Sequence, residues 1–128
     1  MVIVKKRAIR KVEKGESLQE NWNKTVTHPV QSWEWGKFRE KTGLTVVRFS
    51  TGKGKSPSGF QLTIHKIPHT PWAIGYLPKC NMPDKEAITE LKRIGKEHNC
   101  IYVQIEPDIE KTQNSDLKLK TLGLRESL

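Results

Sequence analysis

At Gly43 the apolar pattern changes period, and that change narrows what the chain can fold into. Before it, apolar residues recur at helical spacing. After it, Leu44–Ser50 is β-branched and aromatic, and Phe60–Ile67 alternates apolar with polar, both marks of strands. Pro68–Pro71 turns the chain and Trp72–Leu77 predicts a third strand. A fourth is expected over Cys100–Glu106, stopped by Pro107. Between the last two, Pro83 suits the first position of a helix, Asp84 and Glu86 place acid in its first turn, and Asn99 ends it. Ala87, Leu91, Ile94 and His98 mark the buried side of this helix, over 83–98. The expected fold class is α+β, a mixed and largely antiparallel sheet flanked by helices. A chain of 128 residues makes this one domain with one core.

Two helices are expected upstream. Ser17 and Glu20 form a capping box, and Leu18, Trp22 and Val26 share one side of a helix over 17–27 that ends before Pro29. A second helix is expected over 33–42, capped by Ser32, opened by Glu34 and closed at Gly43. Its spacing sorts Trp35, Phe38 and Thr42 onto a face fit for a core. Trp33, Gly36, Lys37 and Glu40 form the other face, an aromatic, a bare backbone spot and a cation side by side. Ser115 can cap a last short helix holding Leu117 and Leu122.

The net charge of +9 is uneven. Ten basic and five acidic side chains lie in residues 1–43, five basic and no acidic in 44–80, eight basic and nine acidic in 81–128. A basic first two-thirds favours an anionic partner: a nucleotide-sugar diphosphate, RNA or an anionic membrane surface. Gly54-Lys55-Ser56 has the ending of a phosphate-binding loop, but Phe49 stands where that motif needs glycine, and Pro57 and Gly59 forbid the following helix. Cys80 and Cys100 lack metal-ligand or redox spacing and are expected buried and free, and the four histidines show no ligand spacing with them. No metal or cofactor is expected. No apolar run approaches the roughly 18 residues of a membrane span.

The stretch Gln31–Gly43 (QSWEWGKFREKTG) resembles a motif near the start of the FemABX-like aminoacyltransferases, which build the peptide cross-bridge of bacterial peptidoglycan. Ile74–Lys79 and Val103–Asp108 resemble that family's third and fourth strands, in the family's order. The resemblance runs from about Ile9 to Leu124 and matches only the first part of a family member. It implies a GNAT acyltransferase-like fold, with 1–128 an incomplete first domain and 1–12 a basic strand or arm. By the same resemblance this part binds the acceptor, a muropeptide carried on a diphosphate, and Lys37 contacts the diphosphate. Trp33 and Gly36 flank that lysine, and Tyr76, Tyr102 and Glu106 are the further acceptor contacts it implies.

Aminoacyl-tRNA would be handled by the part not present here, so the chain is expected to be an N-terminal fragment, a split gene product that docks a separately encoded second half, or a degenerate descendant. The family implies a bacterial, cytoplasmic protein, with peripheral contact at the inner face of the membrane. No nucleophile–base pair is legible, and the pyrophosphate loop of acetyl-coenzyme-A enzymes is absent, so catalytic residues stay unassigned. A reading from another class stands beside this one. It is a non-catalytic basic module that binds RNA or another anion through Trp33, Lys37 and the lysines of 53–66.

Overall fold

The computed structural model describes residues 18–52 and 57–108. The basic arm at 1–12, the cap at Ser17, the glycine–lysine loop at 53–56 and the last helix around 115–123 lie outside the described residues. Four strands make one sheet in the order β1-β2-β3-β4: Thr45–Thr51, Ser58–Lys66, Ala73–Cys80 and Cys100–Pro107. The first three pair antiparallel as a meander, and β4 pairs parallel to β3. A parallel neighbour needs a crossover, and α3 (Lys85–Glu97) supplies it. The mixed sheet with flanking helices agrees with the expected class.

Alternation along the strands gives the sheet two unlike faces. Val47, Phe49, Phe60, Leu62, Ile64, Ala73 and Leu77 point to one face, where Ala87, Ile88, Leu91 and Ile94 of α3 close the core. Phe49 and Phe60, a cross-strand pair, stack with ring centroids 5.2 Å apart. The buried side of α3 is as expected for Ala87, Leu91 and Ile94, whereas His98 is half-buried and forms the C-cap. Its start differs by two residues. Asp84, not the turn before it, is the N-cap, its Oδ1 accepting from Ala87 N at 2.8 Å, and Pro83 is buried just outside the helix. Both cysteines are free, Cys80 fully buried and Cys100 only partly, and burial pushes the Cys80 thiol up to about 12.

The other face carries Arg48, Gln61, Thr63, His65, Ile74, Tyr76, Tyr102, Gln104 and Glu106. Over its β1 side lies α2 (Trp33–Lys41), preceded by a 3-10 turn, Pro29–Gln31, and by α1 (Leu18–Asn23). The first helix is shorter than the expected 17–27. Thr25 caps it early, donating from its amide and hydroxyl to Trp22 O at 2.8 and 2.7 Å, and its own carbonyl accepts from Gly59 N. Leu18 is 43% exposed and Val26 is outside the helix, so of the expected apolar row only Trp22 is buried on it, its indole donating to Gln31 O at 2.8 Å.

Beyond Thr63↔Tyr76 the pairing of β2 with β3 ends, and one side chain fills the gap. Gln31 is 1% exposed and accepts from Gln61 N at 2.7 Å while donating to Gln61 O at 2.8 Å and Pro78 O at 2.7 Å. Its amide thus stands in for a missing peptide unit of the ladder. Asn81 acts likewise at the strand ends, donating to Thr25 O and Gly59 O.

Candidate functional site

The expected packing of α2 is inverted. Gly36 is its buried residue, while Trp35 is 38% and Phe38 50% exposed and Thr42 lies outside on the surface. The reason lies in the sheet beneath. Under α2 the face is not apolar: Arg48 and Gln61 stand up from it, Arg48 Nε donating to Gln61 Oε1 at 2.6 Å. Gln61 Nε2 donates to Ser32 O at 2.9 Å, which ties the start of the helix to β2. A Cβ at position 36 would meet both Arg48 Nη2 and Gln61 Oε1, so the ends of these two side chains would have to move before the helix could lie this close with any other residue there. Trp33 covers the Arg48 guanidinium at 4.1 Å, a cation–π contact in a half-buried setting, and Glu40 Oε1 lies 3.5 Å from Arg48 Nη1. Burial lowers the Arg48 pKa from its ordinary value, and Glu40 opposes that shift.

The rest of the polar face lies over β2, β3 and β4. Tyr76 donates its hydroxyl to Glu106 Oε1 at 2.8 Å, and Gln104 Nε2 donates to Glu106 Oε2 at 3.0 Å. The carboxylate bond, then burial, raises the Tyr76 pKa above the ordinary phenol value. His65 sits beside Tyr76 with ring centroids 6.4 Å apart, its Nε2 2.8 Å from Thr63 Oγ1. Burial lowers the His65 pKa, and the charge of Arg39 lowers it further. The parallel register explains the Tyr76–Glu106 pair, because Tyr76 lies opposite Gln104 and Pro78 opposite Glu106.

Of the residues singled out from the sequence, the structure brings together two sets. Tyr76 and Glu106 share a hydrogen bond, and Tyr102, 51% exposed, shares their face. Trp33 and Gly36 belong instead to the Arg48–Gln61 cluster. Lys37 joins neither directly. Its side chain is 54% exposed, and its partner among the described residues is Glu40 at 3.9 Å. Two residues apart on a helix, Lys37 and Arg39 point to nearly opposite flanks, and it is Arg39 whose charge reaches His65. Sequence reading passed over Arg39, Arg48, Gln61 and His65. The signal was present: Gln61, Thr63 and His65 occupy every second place of β2, and a face written in polar residues is one that needs water, a polar cover or a ligand. A shallow groove lined by Trp72, Gly95, Lys96, Asn99, Cys100 and Ile101 lies at the far end of α3 and holds none of these groups.

The sequence matches no family model and no curated protein. The coordinates do find a counterpart, a crystal structure of FemX, at a TM-score of 0.68 and 24% identity. The chain shares the fold of FemX. The match covers 88% of this chain and 32% of the FemX chain, so the described strands and helices correspond to about a third of that protein. The fold likeness and the resemblance read from Gln31–Gly43 point to the same group of proteins. Among the described residues no helix is long and apolar enough to cross a membrane.

Proposed function

We propose that the chain is the acceptor-binding part of a peptidoglycan bridge-forming aminoacyltransferase of the FemABX type. The observation that carries this is the FemX fold over 88% of the chain, at 32% of the length of FemX. In this reading the domain is the start of a GNAT-like acyltransferase domain. It binds a muropeptide linked to a nucleotide or lipid by a diphosphate, and a further segment or separate chain brings aminoacyl-tRNA. The exposed ammonium of Lys37 contacts the diphosphate. Paired only with Glu40 at 3.9 Å among the described residues, the ammonium acts as a compact point charge with three donors. Trp33 and Glu40 fix the helix on Arg48 so that the charge is held at one place. Tyr76, Glu106 and Tyr102 contact the rest of the acceptor on the open polar face.

The test is calorimetry of the full chain with a nucleotide-linked muropeptide, comparing Lys37→Glu with Lys41→Glu. Lys and Glu are both good helix formers, so neither change should disturb α2. Lys37→Glu should weaken binding at least about tenfold, the equivalent of about 1.4 kcal/mol. Lys41→Glu, an exposed charge one turn further on, should change it less than about threefold, within the range of surface pairs. Equal losses would mean a diffuse basic field and would remove the specific role of Lys37. No binding by the unaltered chain would overturn the acceptor reading.

A further inference from the structure

The sheet ends in two edges that are not alike. Among the described residues β1 and β4 each pair on one side only. The β1 edge carries Arg48 at its centre, tied to Gln61 and Glu40 beneath the Trp33 ring of α2. A charge and a cover of this kind blunt an edge strand. β4 has neither. Cys100–Pro107 holds no lysine or arginine and a single acid, Glu106. Its pairing with β3 is irregular at both ends, and the regular stretch is Tyr102–Glu106, opposite Ile74–Pro78. Along that stretch Val103 and Ile105 turn to the α3 side, where they are only half-buried against the core. Tyr102, Gln104 and Glu106 turn to the open polar face.

We propose that this edge pairs with the same edge of a second copy, antiparallel about a two-fold axis at Gln104, so that Tyr102 of each copy reaches the Glu106 cluster of the other. The stretch is self-complementary. About that axis Val103 falls opposite Ile105, Gln104 opposite itself and Tyr102 opposite Glu106, so apolar meets apolar on one face and polar meets polar on the other. No like charges come opposite one another. The basic surplus of the chain lies outside residues 81–128, which carry eight basic and nine acidic groups, so the contact avoids it. Along one strand Tyr102 and Glu106 stand about 13 Å apart, too far to touch. Across the axis, opposite residues have Cβ atoms about 5 Å apart, and the Tyr102 hydroxyl can donate to Glu106. That carboxylate accepts from Tyr76 on one oxygen and from Gln104 on the other, and keeps lone pairs for a further bond. Pairing thus joins Tyr102, 51% exposed in a single copy, to the cluster whose face it shares. It rests on the acceptor reading only in calling that cluster a binding site. The edge itself is independent of that reading.

The experiment is sedimentation velocity of the full chain over a range of concentrations, with amide hydrogen exchange followed by NMR. The chain should dimerise. As concentration rises, the alternate amides of 102–106 that face away from β3 should gain protection at least tenfold. Gln104→Glu sets two carboxylates against each other at the axis and should weaken the dimer at least tenfold, with far-UV circular dichroism unchanged. Thr45→Glu places the same charge on the exposed start of β1 and should leave the dimer as it is. The exchange readout uses the unaltered chain, so it decides the matter even if Gln104→Glu fails to fold. A monomer at every concentration, a dimer indifferent to Gln104→Glu, or protection gained along β1 instead would each overturn the pairing. A dimer that ignores the nucleotide-linked muropeptide would uphold the pairing and defeat the acceptor reading alone.

Discussion

The two longer helices meet the sheet from opposite sides and by opposite means. On one face α3 adds Ala87, Ile88, Leu91 and Ile94 to the apolar cluster that Val47, Phe49, Phe60, Leu62 and Ile64 build on the sheet. On the other, α2 brings down Gly36, Trp33 and Glu40 onto Arg48 and Gln61, and leaves Trp35 and Phe38 outside. The first contact is held by area removed from water, which tolerates small shifts. The second is held by directional bonds and one close approach, which do not. A helix is therefore not oriented by its own apolar residues alone. What lies beneath decides which side goes down, and a polar sheet face can turn a tryptophan and a phenylalanine outward.

The largest expected effect is on the apolar side. Phe60 is fully buried and stacks on Phe49, so Phe60→Ala removes a ring from a packed core and should cost about 3–5 kcal/mol in denaturant unfolding. Close behind comes Gln31→Leu on the polar side. Leucine fills a similar volume but cannot bond, so Gln61 N–H and the carbonyls of Gln61 and Pro78 lose their partner inside the protein. At about 1–3 kcal/mol for a stranded buried group, a total near 3 kcal/mol is expected. If Gln31→Leu were neutral, the gap between β2 and β3 would be filled by something other than this amide.

These positions also show what the sequence could and could not reveal. The alternation of β2 named both faces in advance, Phe60, Leu62 and Ile64 against Gln61, Thr63 and His65, and the 3.6 spacing of α3 named most of its buried side. Those are local periods, and local periods are legible. Gln31 was not, because a buried glutamine has meaning only where two strands separate, and that is a fact of tertiary structure. The face of α2 was misread for the same cause: the aromatic period was real, but Arg48 lay under it. Tyr76 and Glu106 were each named as acceptor contacts, yet their bond depends on a parallel register set by the crossover through α3.

Gly36→Ala sharpens the contrast at the close contact itself. The new methyl would sit 2.3 Å from Arg48 Nη2 and Gln61 Oε1. Both are ends of long side chains, but Trp33, Glu40 and Ser32 hold them in place, so the cluster must open. Overpacking of this kind costs about 1–3 kcal/mol, and alanine returns up to about 1 kcal/mol in helix propensity. A net loss of about 1–2 kcal/mol is expected, shrinking when Gln61→Ala removes one of the two obstacles. A gain in stability would mean that the helix stands off from the sheet.

The smallest effect should come from the residue that sequence reasoning placed in the core. Phe38 is 50% exposed and touches Trp35 with ring centroids 5.4 Å apart. Phe and Ser rank close together as helix formers, so Phe38→Ser changes little in the backbone of α2. What it removes is one half-exposed ring contact, and surface changes of this kind stay within about 0.5 kcal/mol. The measurement is the same denaturant series used for Phe60→Ala, with the slope compared as well as the midpoint. Two phenylalanines in one small domain should then differ by several kcal/mol, because one faces α3 and the other faces water. A loss at Phe38 as large as at Phe60 would show that α2 buries its aromatic face after all. In that event Gly36 would be free to take a side chain, and the Gly36→Ala result would fall with it.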